Sequence, residues 1–399
     1  MSPTTDDLTR SLHEHADRIA PTPLGVDDVR RRAGGIRRRR HGAALVAVAA
    51  SVAIAVGVPV VLTNRDHDQI QPAGPAPRIT KPVTVPLDPA TASRGDDPSI
   101  PYALNGEILA PGGARLRVDG GITAFAPLGS GWMVTGVDDS GEGSVRQLAG
   151  DGSVRKTTPS DSLGLGVSAD GSEVAYSDAG GNLFVAWDGG TQGTFPHRTM
   201  PVAEGERPDP AGVAGSAPCV DPESEKGRGC TAYWNRGEGG AFYSSEHGIS
   251  ESIPGLERIT GVAADGRIAG QVSHTDDGSC SAVLDQDRRE LWRTCDHSLG
   301  RFSPGGDYLL AYPAYRDGVG DSTVSVLDAA TGRVLVNYEA PGQGFIHSVV
   351  WETGEDLIAL VGQKKWNLMR LDVTGGAERV ADAVAGDPYD APIVLPTRG

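Results

Sequence analysis

The chain has 399 residues, enough for two or three average domains or for one large repeat domain with appendages. Frequent Gly (55) and Pro (28), 5% aromatic residues and a modest 38% hydrophobic content argue against helix bundles and for short strands joined by Gly-rich turns. The net charge of −16 is uneven: residues 1–41 carry +3 and the remainder −19, so no nucleic-acid partner is expected for the large part.

Residues 1–41 are predicted to be a short Arg-rich cytoplasmic tail. Asp6 to Ala20 can form an amphipathic helix with Leu8, Leu12 and Ile19 on one side, or the tail is disordered up to the membrane. Residues 42–62 follow as 21 residues without a charge, beginning at Gly42 and ending at Leu62. As a helix they would span roughly 31 Å, about the hydrocarbon thickness of a bilayer. Arg30, Arg31, Arg32, Arg37, Arg38, Arg39 and Arg40 stand immediately before this run. Positive flanks stay in the cytoplasm, so the sequence predicts one transmembrane helix with the N-terminus inside and everything after it outside. A cleavable signal peptide fits less well, because its apolar stretch is shorter, about 7–15 residues.

Residues 63–99 contain Pro72, Pro75, Pro77, Pro82, Pro86, Pro89 and Pro98. That density predicts an extended stalk holding the next domain away from the membrane.

Residues 100–399 carry an internal repeat of about forty residues. Each copy has an apolar residue, small or polar residues, a Gly turn and then a short apolar strand. The clear copies are Val167-Ser-Ala-Asp-Gly171, Val262-Ala-Ala-Asp-Gly266 and Phe302-Ser-Pro-Gly-Gly306, with a looser one at Val350-Trp-Glu-Thr-Gly354. A later strand in each copy ends at an Asp: Asp188, Asp285, Asp328 and Asp372. Four short strands per repeat make one blade of a β-propeller. Six units begin near Ile122, Leu163, Ala211, Ile259, Leu299 and Ile346. Residues Pro101 to Val118 add another hairpin, and Ala391 to Pro396 can supply a closing strand. The expected fold is therefore all-β, a propeller with seven blades favoured and six the alternative, preceded by one transmembrane helix.

Phe302-Ser-Pro-Gly-Gly-Asp-Tyr-Leu-Leu310 resembles the strand entry of WD-repeat and TolB-like propellers, and Trp187-Asp188 stands at the family's Trp-Asp position. The resemblance covers residues from about 100 to 396 and implies fold more than function. The layout also resembles a group of bacterial membrane proteins with an exported propeller. The chain departs from regular WD repeats in its uneven spacing, its lack of Gly-His dipeptides and its poorly matching third copy.

The four cysteines fall into two close pairs, Cys219 with Cys230 and Cys280 with Cys295, which predicts two local disulfides in an oxidising compartment. Zinc would need closer Cys or His spacing. Asp-rich loops at Asp138, Asp276 and Asp317 lack the alternating pattern of a calcium loop and read as hairpin turns. No catalytic constellation and no cofactor motif stands out, so no cofactor is expected and the chain leans away from enzymes. His247, His274, His297 and His347 are expected at loops or strand ends, and Trp234, Tyr243, Trp292, Trp351 and Trp366 in blade packing.

The leading expectation is a binding, sensing or protein-interaction module displayed outside the cell membrane, with an extracellular ligand or protein as partner. Two alternatives stand beside it. One is a regulator whose residues 1–40 contact a sigma or transcription factor. The other is an extracellular hydrolase-like enzyme.

Overall fold

The structure is a computed structural model. It describes residues 81–399 except 139, 163, 189–194, 203–205, 216–228, 238, 246–249, 277, 317–318, 341, 343 and 388. The expected tail, the apolar run 42–62, the arginines Arg30 to Arg32 and Arg37 to Arg40, and the stalk to residue 80 lie outside the described residues, as does Cys219. Among the described residues no helix is long and apolar enough to cross a membrane.

The described chain is all β. Seven sheets follow one another, each with four antiparallel strands in sequential order from the inner edge to the outer edge, except that the first takes its inner strand from elsewhere and the sixth carries a fifth strand. Blade 1 takes three strands from residues 102–117. Blades 2 to 7 occupy residues 124–159, 166–200, 208–252, 258–294, 297–339 and 345–379. The innermost strand of blade 1 is Ile393–Val394, from the other end of the propeller. It pairs with Tyr102–Leu104 and closes the ring, so the seven-blade expectation and its closing strand hold.

The sequence builds this ring because each blade is covered on both faces. Asp356–Gly362 in blade 7 is buried at Leu357, Ile358, Ala359, Leu360 and Val361 in succession, a continuous apolar run rather than an alternating one. Outer strands such as Val154–Pro159 are mostly exposed and polar. Seven hydrophobic clusters sit between successive blades. One joins Leu128 and Met133 of blade 2 to Val174 and Tyr176 of blade 3. Another joins Ile358 and Trp366 of blade 7 to Ile393 of blade 1, and a third joins Ile108 of blade 1 to Phe125 and Val134 of blade 2. Trp234, Trp351 and Trp366 are fully buried in these interfaces, and such side chains dominate core energetics through the area they bury.

Within the segment expected as a stalk, 63–99, the described residues begin at 81 and include a strand. Val83–Pro86 forms a fifth, parallel strand on the outer edge of blade 6, with Val83 opposite Val336 and Val85 opposite Tyr338. Leu87 is buried in the core between blades 6 and 7. The β-branched Val-Thr-Val run fits a pleated edge, and Pro86 is tolerated there because an edge strand leaves one row of backbone groups unpaired.

Residues 94–99 are then clasped to blade 7. The Arg370 guanidinium donates to Glu352 at 2.6 Å, to Glu378 at 2.6 Å, and to the carbonyls of Asp96 and Asp97 at 3.3 and 3.2 Å. Glu352 accepts a further bond from the Ser99 N–H. Burial alone would push the Glu352 carboxyl up, but the bonds from Arg370 and Ser99 outweigh it and hold the group below its ordinary value.

Candidate binding surfaces of the propeller

Sequential antiparallel strands put the first and third turns of every blade on one face of the ring. The second turns, and the connections to the next blade, lie on the other face. The repeated glycines and aspartates all belong to the first face. Gly171, Gly266 and Gly306 have φ of +73°, +86° and +77°, a left-handed conformation that a Cβ disfavours. Gly354 is not left-handed; there the N–H groups of Glu352 and Thr353 both donate to the Asp356 carbonyl.

The aspartates shape the third turn. Asp285 Oδ1 accepts from the N–H groups of Asp287 and Arg289 at 2.9 and 2.8 Å. Asp328 accepts from Thr331 N–H at 2.9 Å, and Asp372 from the N–H groups of Thr374 and Gly376 at 2.7 and 3.0 Å. Asp188 follows directly on Leu183–Trp187 at the same position in blade 3. The Asp285, Asp328 and Asp372 carboxylates are spent on the backbone as turn formers, which accounts for part of the chain's acidity.

Asp138 belongs to a second-face loop and does the same. It accepts from Ser140 Oγ at 2.6 Å and from Ser140 and Glu142 N–H at 2.9 and 3.0 Å, bonds that hold its carboxyl below the usual range. Asp317 lies outside the described residues. Among the described residues no group of three or more His, Cys, Asp or Glu side chains is placed to hold a metal.

Cys280 and Cys295 are bonded, with Cα atoms 4.0 Å apart, at the second-face end of the outer strands of blade 5. They follow in register from the Ser281–Thr294 pair. Cys230, buried just before Thr231–Arg236 at the first-face end of blade 4, is also disulfide-bonded. His247 lies outside the described residues. His274, His297 and His347 stand at or near the second-face ends of Ile268–Thr275, His297–Phe302 and Phe345–Trp351. The His347 ring meets Trp366 edge-on at 5.4 Å.

The two mouths of the ring differ. On the first face, residues 395–399 leave the closing strand and cross the axis. Thr397 N–H donates to the Phe125 carbonyl in blade 2 at 2.7 Å. Arg398 Nη1 donates to the carbonyls of Trp351 and Glu352 in blade 7 at 3.3 and 3.0 Å. Between this segment and the first turns of blades 2 and 3 lies a cavity of about 140 Å³, lined in part by Gly129, Asp170, Thr397 and Arg398.

The second face carries four of the seven large hydrophobic side chains found exposed among the described residues. They are Val137 (37%), Tyr315 (51%), Val319 (40%) and Tyr389 (80%), in loops of blades 2 and 6 and in the connection from blade 7 to blade 1. The loop of blade 6 is held by Arg316, which pairs with both oxygens of Asp321 at 2.9 and 2.7 Å and lies over the Tyr312 ring at 4.6 Å. Burial pushes the Asp321 carboxyl up, and Arg316 offsets only part of this.

Along the axis, small residues let the inner strands approach. A Cβ on Gly166 would sit 2.6 Å from the Gly212 nitrogen, and one on Gly261 would sit 2.5 Å from the Gly300 carbonyl oxygen. Arg301 breaks the pattern of small or apolar residues at this level. Gly300 and Arg301 together oppose Leu310, because Leu299 pairs with Ala311 and Phe302 with Leu309. This bulge reorients Arg301, and its Nη1 donates to the Arg398 carbonyl. The sequence reading did not single out Arg301, Tyr312 or Arg398. The available signal was Arg301 itself, a charge just before the repeat motif where the aligned copies have Gly166, Gly261 and Val349.

In comparison with known proteins, the chain is similar in fold to the β-propeller domain of Cps50 (Swd1) from Myceliophteria thermophila. That structure is 13% identical, with a TM-score of 0.45 over 67% of this chain and 88% of that one. No protein-family model matches the chain, and no curated protein matches it.

Proposed function

We propose that the chain is a membrane-anchored module whose propeller stands outside the cell and binds an external ligand or protein at its second face. The observation that carries the binding face is the asymmetry of the two mouths. The first is crossed by residues 395–399, whereas the second displays Val137, Tyr315, Val319 and Tyr389. Exposed apolar side chains on one face suit a protein-binding surface.

The topology rests on sequence: seven arginines directly before 21 uncharged residues. The Cys280–Cys295 bond and the bonded state of Cys230 agree with an oxidising compartment. The test is labelling of intact cells expressing the full chain with a membrane-impermeant maleimide, before and after reduction. Labelling only after reduction is expected. Cysteines that stay unlabelled after reduction but react after lysis would put the propeller in the cytoplasm and overturn the topology.

A further inference from the structure

We propose that Arg301, with Tyr312 beside it, forms a site on the inner wall of blade 6 for an anionic group, the carboxylate or phosphate of a small ligand. The proposal goes beyond the reading of the propeller as a binding module: the site lies where residues 395–399 cross the first face, apart from the second-face surface. It does not depend on the membrane topology.

Arg370 is neutralised by Glu352 and Glu378 and Arg267 by Asp265, while buried Arg146, without a carboxylate partner among the described residues, donates to the carbonyls of Asp119 and Gly121. Arg301 is part-buried, and among the described residues no carboxylate pairs with it, in a chain with 52 acidic residues. Its one protein acceptor among the described residues is the Arg398 carbonyl, taken by Nη1; Nε and Nη2 take none. A guanidinium drawn from water without a counter-charge costs several kcal/mol, and a bound anion would remove that cost.

The surroundings suit an anion as well. The Arg398 guanidinium, bonded to two carbonyls and to no carboxylate among the described residues, adds a second positive charge where residues 395–399 meet blades 6 and 7. Tyr312 lies against Gly300, with a ring carbon 2.8 Å from where a Cβ there would be. Any side chain at position 300 would displace the ring. Its hydroxyl takes no protein partner among the described residues, and the phenol is close enough to Arg301 to feel its charge. Burial raises the Tyr312 phenol, while the charges of Arg316 and Arg301 pull the other way, so it stays a donor at neutral pH. The remaining N–H groups of Arg301 form an edge that two oxygens of one carboxylate or phosphate can meet, and the phenol adds a third contact.

The test is isothermal titration of the detergent-solubilised full chain with inorganic phosphate and, separately, with succinate, at constant ionic strength. At least one is expected to bind with a Kd below about 1 mM. Arg301→Met is expected to weaken that binding at least tenfold, and Tyr312→Phe to weaken it severalfold. No binding of either anion at about 10 mM, or equal binding by wild type and Arg301→Met, would overturn the site. Should Arg301→Met fail to fold, as judged by near-UV circular dichroism, Arg301→Lys replaces it. Lys keeps the charge and loses the fork, so binding unchanged in that variant overturns the assignment. Either negative result would leave the labelling pattern of the cysteines untouched, so the two proposals fail separately.

Discussion

Ala103 pairs with Val394 across the seam of the ring, so the first blade is complete only when the far end of the propeller has folded against it. Ile393, beside this pair, is 3% exposed and belongs to the core that joins blade 7 to blade 1. Ile393→Ala is expected to cost about 2–5 kcal/mol, the usual range for emptying an aliphatic core position. Amide exchange should rise first in residues 102–117. Val154→Ala, on an outer strand with its side chain 54% exposed, should stay within about 0.5 kcal/mol. Equal effects of the two variants would mean that the seam carries no special weight.

Glu352 and Asp321 are two carboxylates paired with arginines, and they shift in opposite directions. The folded-state value of Glu352 is depressed, so its contribution is present above its unfolded value near 4.3 and is lost as pH falls through the folded value. Asp321 is raised, so whatever it contributes is present below its unfolded value and lost as pH rises through the folded one. Urea unfolding between pH 3 and 7 should therefore show a fall in stability at the acid end that Glu352→Gln flattens and Asp321→Asn does not. Arg370→Ala should cost about 3–5 kcal/mol at pH 7, because Glu352, with its side chain 2% exposed, is left as an uncompensated buried charge.

Three glycines separate backbone strain from crowding. Gly354 has no left-handed φ and open space around it, so Gly354→Ala should be close to neutral. Gly171 has φ of +73° and equally open space, so Gly171→Ala should cost about 1–2 kcal/mol from conformation alone. Gly261 has an ordinary φ but a Cβ there would meet the Gly300 carbonyl oxygen at 2.5 Å. Gly261→Ala should cost about 1–3 kcal/mol as overpacking of the axis. Thermal or urea denaturation of the three variants checks the order, and a neutral Gly261→Ala would show that the inner strands separate easily.

Features that every blade needs were legible in the sequence. Gly171, Gly266 and Gly306 recur because the first turn demands a left-handed residue, and Asp285, Asp328 and Asp372 recur because the third turn needs its N–H groups capped. The closing strand was legible for a related reason: an open ring would expose two edges. Features that occur once were not. The edge strand Val83–Pro86 sits among prolines that signal a stalk, and its parallel pairing to Val334–Glu339 leaves no local pattern. Arg301 and Tyr312 come together through a bulge and through the absence of a Cβ at Gly300, neither of which a repeat comparison registers.

The Cys280–Cys295 bond joins neighbouring strands of one blade across 15 residues, a span the hairpin already closes in the folded state. Its effect must come from the unfolded chain, where a loop of that size restricts conformations by an amount worth about 3 kcal/mol in the chain-entropy description. The double variant Cys280→Ser with Cys295→Ser, kept oxidised so that Cys230 remains bonded, should lose about that much stability in urea. The fold of blade 5 should persist, since Val283, Leu284 and Ile268 stay buried in the cores on either side. A loss below about 1 kcal/mol would mean that the Gly278–Thr294 hairpin survives in the unfolded ensemble and that the bond restricts little that was free.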